Sequence, residues 1–188
     1  MRPIKPDFLR NAVNKNRLEF LFDGIFAIAM TILVLELKVP ELTERKSVAE
    51  LGQLLMHHGA TFFSYILSFI MLGILWYSHN QYFQYLQRIT KSIFIFHIVQ
   101  LAFAAFFPFC AALFGRYPTN RLSLIIYFGC IMGFQWSTLI QWVMAKKQYA
   151  LIPRMDSSLY HKFKKRYTAS SIVCTLFFLQ YLFSLFIQ

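Results

Sequence analysis

The sequence predicts an all-α, polytopic membrane protein that crosses the bilayer five times. Of its 188 residues, 57% are hydrophobic and 14% are charged, whereas about 25% of the residues of a soluble domain are charged. Five stretches are mainly apolar over about 20 residues, the length that a helix needs to cross the hydrocarbon core. They lie near Phe20–Val39, Leu54–Ser78, Ser92–Phe114, Leu122–Ala145 and Tyr167–Ile187.

These stretches occupy most of the chain, so we expect residues 1–188 to form a single transmembrane domain without a separate soluble one. The phosphate-binding pattern GxxxxGKS/T, the metal-binding pattern HExxH, the nucleophile pattern GxSxG and the pair CxxC are missing from the sequence. The three cysteines lie inside apolar stretches, where a thiol usually behaves as a small buried hydrophobe. We therefore expect no enzymatic activity, no cofactor and no metal site.

Local signals mark the ends of the first two spans. The apolar run after the basic N-terminal segment is longer than the apolar part of a signal peptide, so it should remain as the first membrane helix. Pro40 is expected to stop this helix, because proline disfavours helical geometry in the residue before it. The segment from Ser47 to Glu50 has the pattern of a capping box, which we expect to begin the second span.

The distribution of basic residues predicts the orientation of the chain. There are 19 Lys and Arg against 8 Asp and Glu, and in so apolar a protein this excess belongs to membrane-flanking loops, not to a nucleic-acid surface. All but five of these basic residues fall on the side that holds the N-terminus; the exceptions are Lys38, Arg45, Lys46, Arg116 and Arg121. The positive-inside rule therefore places the N-terminus in the cytoplasm and, with five spans, the C-terminus outside. We expect contact with membrane lipid and none with nucleic acid.

Aromatic residues gather at the inner ends of two spans. Trp76, Tyr77, Tyr82 and Tyr85 lie at the end of span two, and Trp142 lies at the end of span four. Tryptophan and tyrosine are enriched where a membrane meets water, because their rings are apolar and carry one polar group. We therefore expect these five residues to form a belt at the membrane interface.

The first span carries a stripe of residues on one helical face. At 100° per residue its members all lie within about 60° of Ile28, and they are Gly24, Ile28, Thr31, Ile32 and Leu35. From the residues alone, surface that faces lipid or packs against another helix is the simpler interpretation. Asp23 lies about 140° from Ile28, so we expect its carboxylate to bond to neighbouring helices. A carboxylate within a membrane is costly, which makes it a candidate either for function or for a structural network.

Four segments resemble the bacterial relatives of the endosomal and lysosomal potassium channel family. Arg17-x-x-x-Leu21-Phe22-Asp23-Gly24 is similar to the Arg-x-x-x-Phe-Ser-Asp signature that opens this family's first helix. The segment from Ala27 to Pro40 resembles the rest of that helix. Trp76-x-x-His79 resembles the end of the family's second helix, and Phe107-Pro108-Phe109 resembles part of its third.

This sequence also departs from the family pattern. Leu21 and Phe22 replace the Phe and Ser of the signature, so the hydroxyl group of that Ser is missing. His97 stands where relatives often carry Asn. Members of the family usually have six spans, whereas five are predicted here.

The resemblance implies a potassium-selective or potassium-permeable cation channel of the bacterial inner membrane. In such a channel four copies of a single transmembrane channel domain surround a central pore, which the first helix of each copy lines without a re-entrant selectivity loop. On the family pattern, Ile28 is the narrow hydrophobic constriction, Thr31 lies one turn further out, and Ile32 and Leu35 continue the lining. The resemblance also implies a structural or gating hydrogen-bond network, which consists of Arg17, Asp23, His79 and His97.

Two other functions remain open. One is a proton-coupled secondary transporter, in which Asp23, His79 and His97 relay protons through the inner half of the membrane, since histidine titrates near neutral pH. Its weakness is that neither an inverted repeat nor a pair of broken helices is visible in the sequence. The other is a membrane scaffold without transport activity, for which there is no evidence beyond ordinary packing motifs.

Overall fold

The computed structural model of the protein describes residues 14–43, 47–148, 150–151 and 156–186. Within these residues the chain forms six α-helices, and its only pairing of extended backbone is one isolated bridge between Leu86 and Leu151. A 3-10 turn at Val34–Glu36 follows the first helix and ends before Pro40. The helices are α1 (Lys15–Leu33), α2 (Val48–His57), α3 (Gly59–Phe83), α4 (Lys91–Arg116), α5 (Arg121–Lys147) and α6 (Ser157–Phe186).

Five of these helices are long and apolar enough to cross a membrane, and α2, with 10 residues, is not one of them. The all-α class is therefore confirmed in the described part of the chain, and the number of helices that could cross a membrane equals the predicted five. The last helix begins ten residues before the predicted span, at Ser157 instead of Tyr167. Its first turns are rich in Lys and Arg, and an apolar window detects only the part of a helix that lies in hydrocarbon.

The second span begins later than predicted, because the short helix α2 precedes it. Ser47 caps α2: its Oγ accepts the Glu50 N–H at 3.2 Å, and the Glu50 carboxylate accepts the Thr43 N–H at 2.9 Å. The backbone then leaves helical geometry at His58, where ψ is 10°, and α3 starts at Gly59. The capping signal was thus correct, but the prediction that it begins the second span was wrong.

The helices pack around two groups of buried side chains. α5 packs against both α4 and α6, and α1 packs against α3 and α4. The first group joins α1, α3, α4 and α5, whereas the second lies where α1 and α4 begin and where α3 and α5 end, and it includes the start of α6. Because α1 contacts the bundle along one side, its other side stays outside the core of the subunit.

Two of the predicted interface aromatics lie in the second group instead. Tyr82 and Trp142 are fully buried, with ring centroids 6.1 Å apart in an edge-to-face arrangement. Tyr167 of α6 lies 6.0 Å from Tyr82, and its hydroxyl donates to the Ser78 carbonyl at 2.9 Å. The belt prediction is therefore wrong for Tyr82 and Trp142, which join the C-terminal ends of α3 and α5 to α6.

A close approach between α5 and α4 occurs at Gly133. A Cβ atom added to this glycine would lie 2.2 Å from Cζ of Phe103. The ring of Phe103 therefore occupies the space that any larger side chain would need. Small residues at such contacts let helices pack closely in a membrane, where van der Waals contact is a main source of association.

We expect Gly133→Ala to lower the thermal stability of the detergent-solubilised protein, because the new methyl group must displace the Phe103 ring. Overpacking of this kind costs about 1–3 kcal/mol. Gly52→Ala in α2 is the matched control, since a Cβ there meets no atom within 4 Å, and helix propensity should stabilise it by about 0.5–1 kcal/mol. Thermal unfolding curves measure both changes. An unaltered midpoint for Gly133→Ala would contradict the close contact.

Candidate functional site

α1 has a buried face and an exposed face; four members of the predicted stripe lie on the exposed face, and the fifth, Leu35, lies in the 3-10 turn that follows α1. The helix begins after Asn14, whose side chain accepts the Asn16 N–H at 3.0 Å. Every member of the stripe is exposed in the isolated subunit. The opposite face is buried against the bundle by Leu18, Phe22, Phe26, Ala29 and Leu33. The stripe is therefore not packing surface within the subunit.

Thr31 is the member of the stripe that carries a hydroxyl group. Its Oγ1 donates to the carbonyl oxygens of Ile28 and Ala27, at 2.8 and 3.0 Å. A hydroxyl has one proton to give and two lone pairs with which to accept. Because the proton is directed to the backbone of its own helix, the lone pairs of Thr31 remain available to a cation on the exposed side.

Asp23 is bonded to the neighbouring helix α3, as its position relative to the stripe predicted. Its Oδ1 accepts a hydrogen bond of 2.8 Å from the indole Nε1–H of Trp76. A bond between a carboxylate and an N–H group is charge-assisted and stronger than a neutral one. This bond connects α1 to α3 at a point between the stripe and the buried face.

His79 and His97 form a second contact, deep inside the bundle. Both rings are fully buried, and His79 Nε2 and His97 Nδ1 share a hydrogen bond of 3.3 Å. His97 Nε2 donates to the Leu18 carbonyl of α1 at 3.4 Å. A neutral His97 that donates through Nε2 must accept through Nδ1, so the proton between the two rings belongs to His79. The bonds therefore run from α3 through α4 to the backbone of α1.

Phe22 takes part in this arrangement through its ring. It is fully buried and stacks on His79, with ring centroids 3.4 Å apart and an angle of 12° between the planes. Phe83 stacks on His79 as well, at 4.9 Å and 26°. Where the family signature has a serine hydroxyl, this chain therefore has an aromatic ring that packs against a histidine.

Within one subunit, the predicted network falls into separate parts. The structure brings together His79 and His97, but among the described residues no hydrogen bond or ion pair joins them to Asp23. Arg17 is exposed in the first turn of α1 and makes no ion pair with Asp23 in this part of the chain. It lies on the same side of the helix as the stripe, about 20° from Ile28.

Sequence reasoning missed the partner of Asp23 and the role of Phe22. Trp76 was assigned to an interface belt, although its spacing of three residues from His79 places both side chains on neighbouring positions of one helix face. That spacing was the available signal for a contact with α1. For Phe22 the sequence showed only that a hydroxyl was missing, and it gave no indication of the stacking on His79.

The five helices that could cross a membrane define a multi-pass membrane protein, and its first helix is buried on one face and exposed on the other. Residues 17–108 match the TMEM175 family of endosomal/lysosomal potassium channels. A potassium channel of Chryseobacterium sp. (strain P1-3) is 31% identical over 154 residues, which cover 81% of this chain and 76% of the relative. The chain belongs to the TMEM175 family.

Two further comparisons describe the range of the family. The endosomal/lysosomal proton channel TMEM175 of Rattus norvegicus is 30% identical over 145 residues; the match covers 69% of this chain but only 29% of that longer protein. The crystal structure of a lysosomal potassium-selective channel TMEM175 homolog from Chamaesiphon minutus superposes with a TM-score of 0.78 and 23% identity. The superposition covers 92% of this chain and 89% of that one, so the two share a fold.

We expect Trp76→Phe to destabilise the protein, because it removes the donor to Asp23 and keeps an aromatic ring. The loss of a bond to a charged group costs about 1.5–3 kcal/mol. Trp136→Phe is the control: Trp136 is 39% exposed against 37% for Trp76, and its Nε1 donates to the neutral Thr175 hydroxyl at 2.9 Å. A neutral bond contributes about 0.5–1.5 kcal/mol. Equal shifts of the unfolding midpoint in the two variants would contradict the charge-assisted bond.

We also expect Phe22→Ser to destabilise the protein, although serine is the residue of the family signature. It removes a fully buried ring that stacks on His79, and truncation of a buried phenylalanine costs about 3–5 kcal/mol. Leu21→Phe restores the other signature residue at an exposed position, so it should change stability by less than about 0.5 kcal/mol. Thermal unfolding compares the two variants, and a Phe22→Ser protein as stable as the wild type would refute the stacking role.

Proposed function

We propose that this protein is a potassium-permeable cation channel, in which four copies of the chain surround a pore lined by α1. The observation that carries the proposal is the exposure of the whole stripe from Gly24 to Leu35, opposite a face that is packed into the bundle. The stripe faces out of the subunit, so a pore that it lines requires several copies. Closed rings of identical subunits are the usual solution. The names of the Chryseobacterium and Chamaesiphon relatives support potassium as the ion.

In this proposal Ile28 forms the narrow constriction, and Ile32 and Leu35 continue the lining. A ring of isoleucine side chains closes a pore by excluding water, because a hydrated ion loses its water there and gains no ligand in return. Opening must widen the ring. Thr31 lies one turn further along, where its free lone pairs could replace part of the hydration shell of a cation. The relatives described above are named as channels, and we assign no reaction, cofactor or metal to this chain.

The contacts behind α1 support this arrangement, because they hold the helix at a fixed rotation. The Asp23–Trp76 bond and the His79–His97 pair act on α1 from α3 and α4. A change in either contact would turn or shift the stripe, so both are candidates for a gating or structural role. Arg17 contributes to neither of them.

We propose the bacterial inner membrane as the location, with the N-terminus in the cytoplasm. The support for this orientation is the excess of Lys and Arg in the loops on the N-terminal side. The single channel domain is taken to include the whole chain, residues 1–188.

The second candidate is the proton-coupled transporter, which the buried His79–His97 pair favours. Two observations weigh against it. Asp23 is bonded to Trp76 and not to either histidine, and the hydrogen bonds from His79 through His97 end on the Leu18 carbonyl. A backbone carbonyl accepts a hydrogen bond but does not pass a proton on.

Single-channel recording in planar bilayers tests the proposed function. With unequal potassium and sodium gradients we expect unitary currents that reverse near the potassium equilibrium potential. Ile28→Asn should increase the unitary current, because the amide side chain lets the constriction stay hydrated. Native mass spectrometry of the same preparation should give the mass of four chains.

Ile95→Asn is the matched control for this experiment. Ile95 of α4 is 58% exposed and Ile28 is 59% exposed, so both substitutions place the same amide at an exposed position of a spanning helix. The control should leave the unitary current unchanged. If folded protein gave no unitary current but slow, proton-dependent flux in liposomes that Asp23→Asn abolished, the transporter would replace the channel.

A further inference from the structure

Arg17 lies on the face of α1 that carries the stripe. At 100° per residue its side chain leaves the helix about 20° from Ile28, and its Cα lies about 16 Å along the axis toward the start of α1. It is exposed, as the members of the stripe are. If the stripe is extended toward the N-terminus of α1, it therefore ends at the positively charged side chain of Arg17.

The other charged groups at this end of α1 point elsewhere. Lys15 lies about 140° and Glu19 about 180° from Ile28, and the two form an ion pair at 3.9 Å. Lys15 also donates to the Gln84 carbonyl, so it is directed toward the bundle. Asp23, about 140° away, is bonded to Trp76. Among the described residues of α1, neither carboxylate is on the stripe's face to neutralise Arg17.

We infer that Arg17 forms a ring of four guanidinium groups at the inner mouth of the pore, and that this ring limits the entry of cations from that side. The inference rests on the proposed function, because it needs four copies of α1 around an axis. It gives Arg17 a role in ion passage, separate from the network that the family resemblance implies.

The size of the effect follows from electrostatics. If the four positive charges lie about 8 Å from the axis and the dielectric constant is that of water, they lower the local potassium concentration about fivefold at 0.1 M salt, where the Debye length is about 10 Å. At 1 M salt the Debye length is about 3 Å, and the same charges would lower it only about 1.3-fold. A residue whose charge acts on entry is therefore recognised by the salt dependence of its effect.

The experiment is single-channel recording of the full chain in 0.1 M and 1 M potassium chloride. We expect Arg17→Gln to raise the current that enters from the inner side by about three- to fivefold in 0.1 M salt and by less than about 1.5-fold in 1 M salt. Current entering from the other side should change less. Arg17→Lys retains the charge and should behave as the wild type.

Lys15→Gln is the matched control, because it removes the same charge two residues away on the opposite side of the helix. It should leave the current that enters from the inner side unchanged in 0.1 M salt. An Arg17→Gln channel with wild-type current in 0.1 M salt, or an equal effect of Lys15→Gln, would overturn the role of Arg17 and leave the channel standing. A wild-type protein without any unitary current would overturn the channel and this inference together.

Discussion

The rotation of α1 about its own axis is the constraint on which the candidate site depends. A helix in lipid can present any face to its surroundings, and here the choice is made by a buried row that includes Phe22 and Phe26. Phe22 is held by its stack on His79, and the Leu18 carbonyl is held by His97. Because residues on one helix keep fixed angles, these contacts determine at the same time that the stripe around Ile28 faces away from the subunit.

Polar contacts between α4 and α5 keep the rotation of α1 fixed. In a bilayer the hydrophobic effect gives little force between helices, so buried polar side chains and close van der Waals packing hold them together. Gln100 of α4 donates to Thr138 of α5 at 2.7 Å, and Gln141 of α5 donates to the Ile93 carbonyl at 2.8 Å. These bonds therefore join α4 to α5 on both sides of His97 in the sequence of α4. The fixed rotation of α1 rests on this second layer of bonds.

The sequence was sufficient for the features that depend on one helix at a time. Apolar length predicted the five spans, and the angle of 100° per residue predicted both the stripe and the turn of Asp23 toward another helix. It could not identify Trp76 as the partner of Asp23, because the periodicity of one helix does not reveal which residue of a second helix lies beside it. Tyr82 and Trp142 were misassigned for a related reason. A tryptophan or tyrosine near the end of a span suits both the interface and a core, and only the position of α6 decides between them.

The two faces of α1 have different roles: one packs into the bundle, and the other is proposed to line the pore. The buried face contributes most to stability, since Phe22, Ala29 and Leu33 are buried in the core. The described residues of the exposed face lie outside the buried core of the subunit, so their replacement should have less effect on folding of the chain. In the proposed tetramer each such change occurs four times around one axis, which multiplies its effect on an ion while its cost to the fold stays small. If the stripe lines the pore as proposed, conductance can therefore be altered along it with little change to the bundle that supports it.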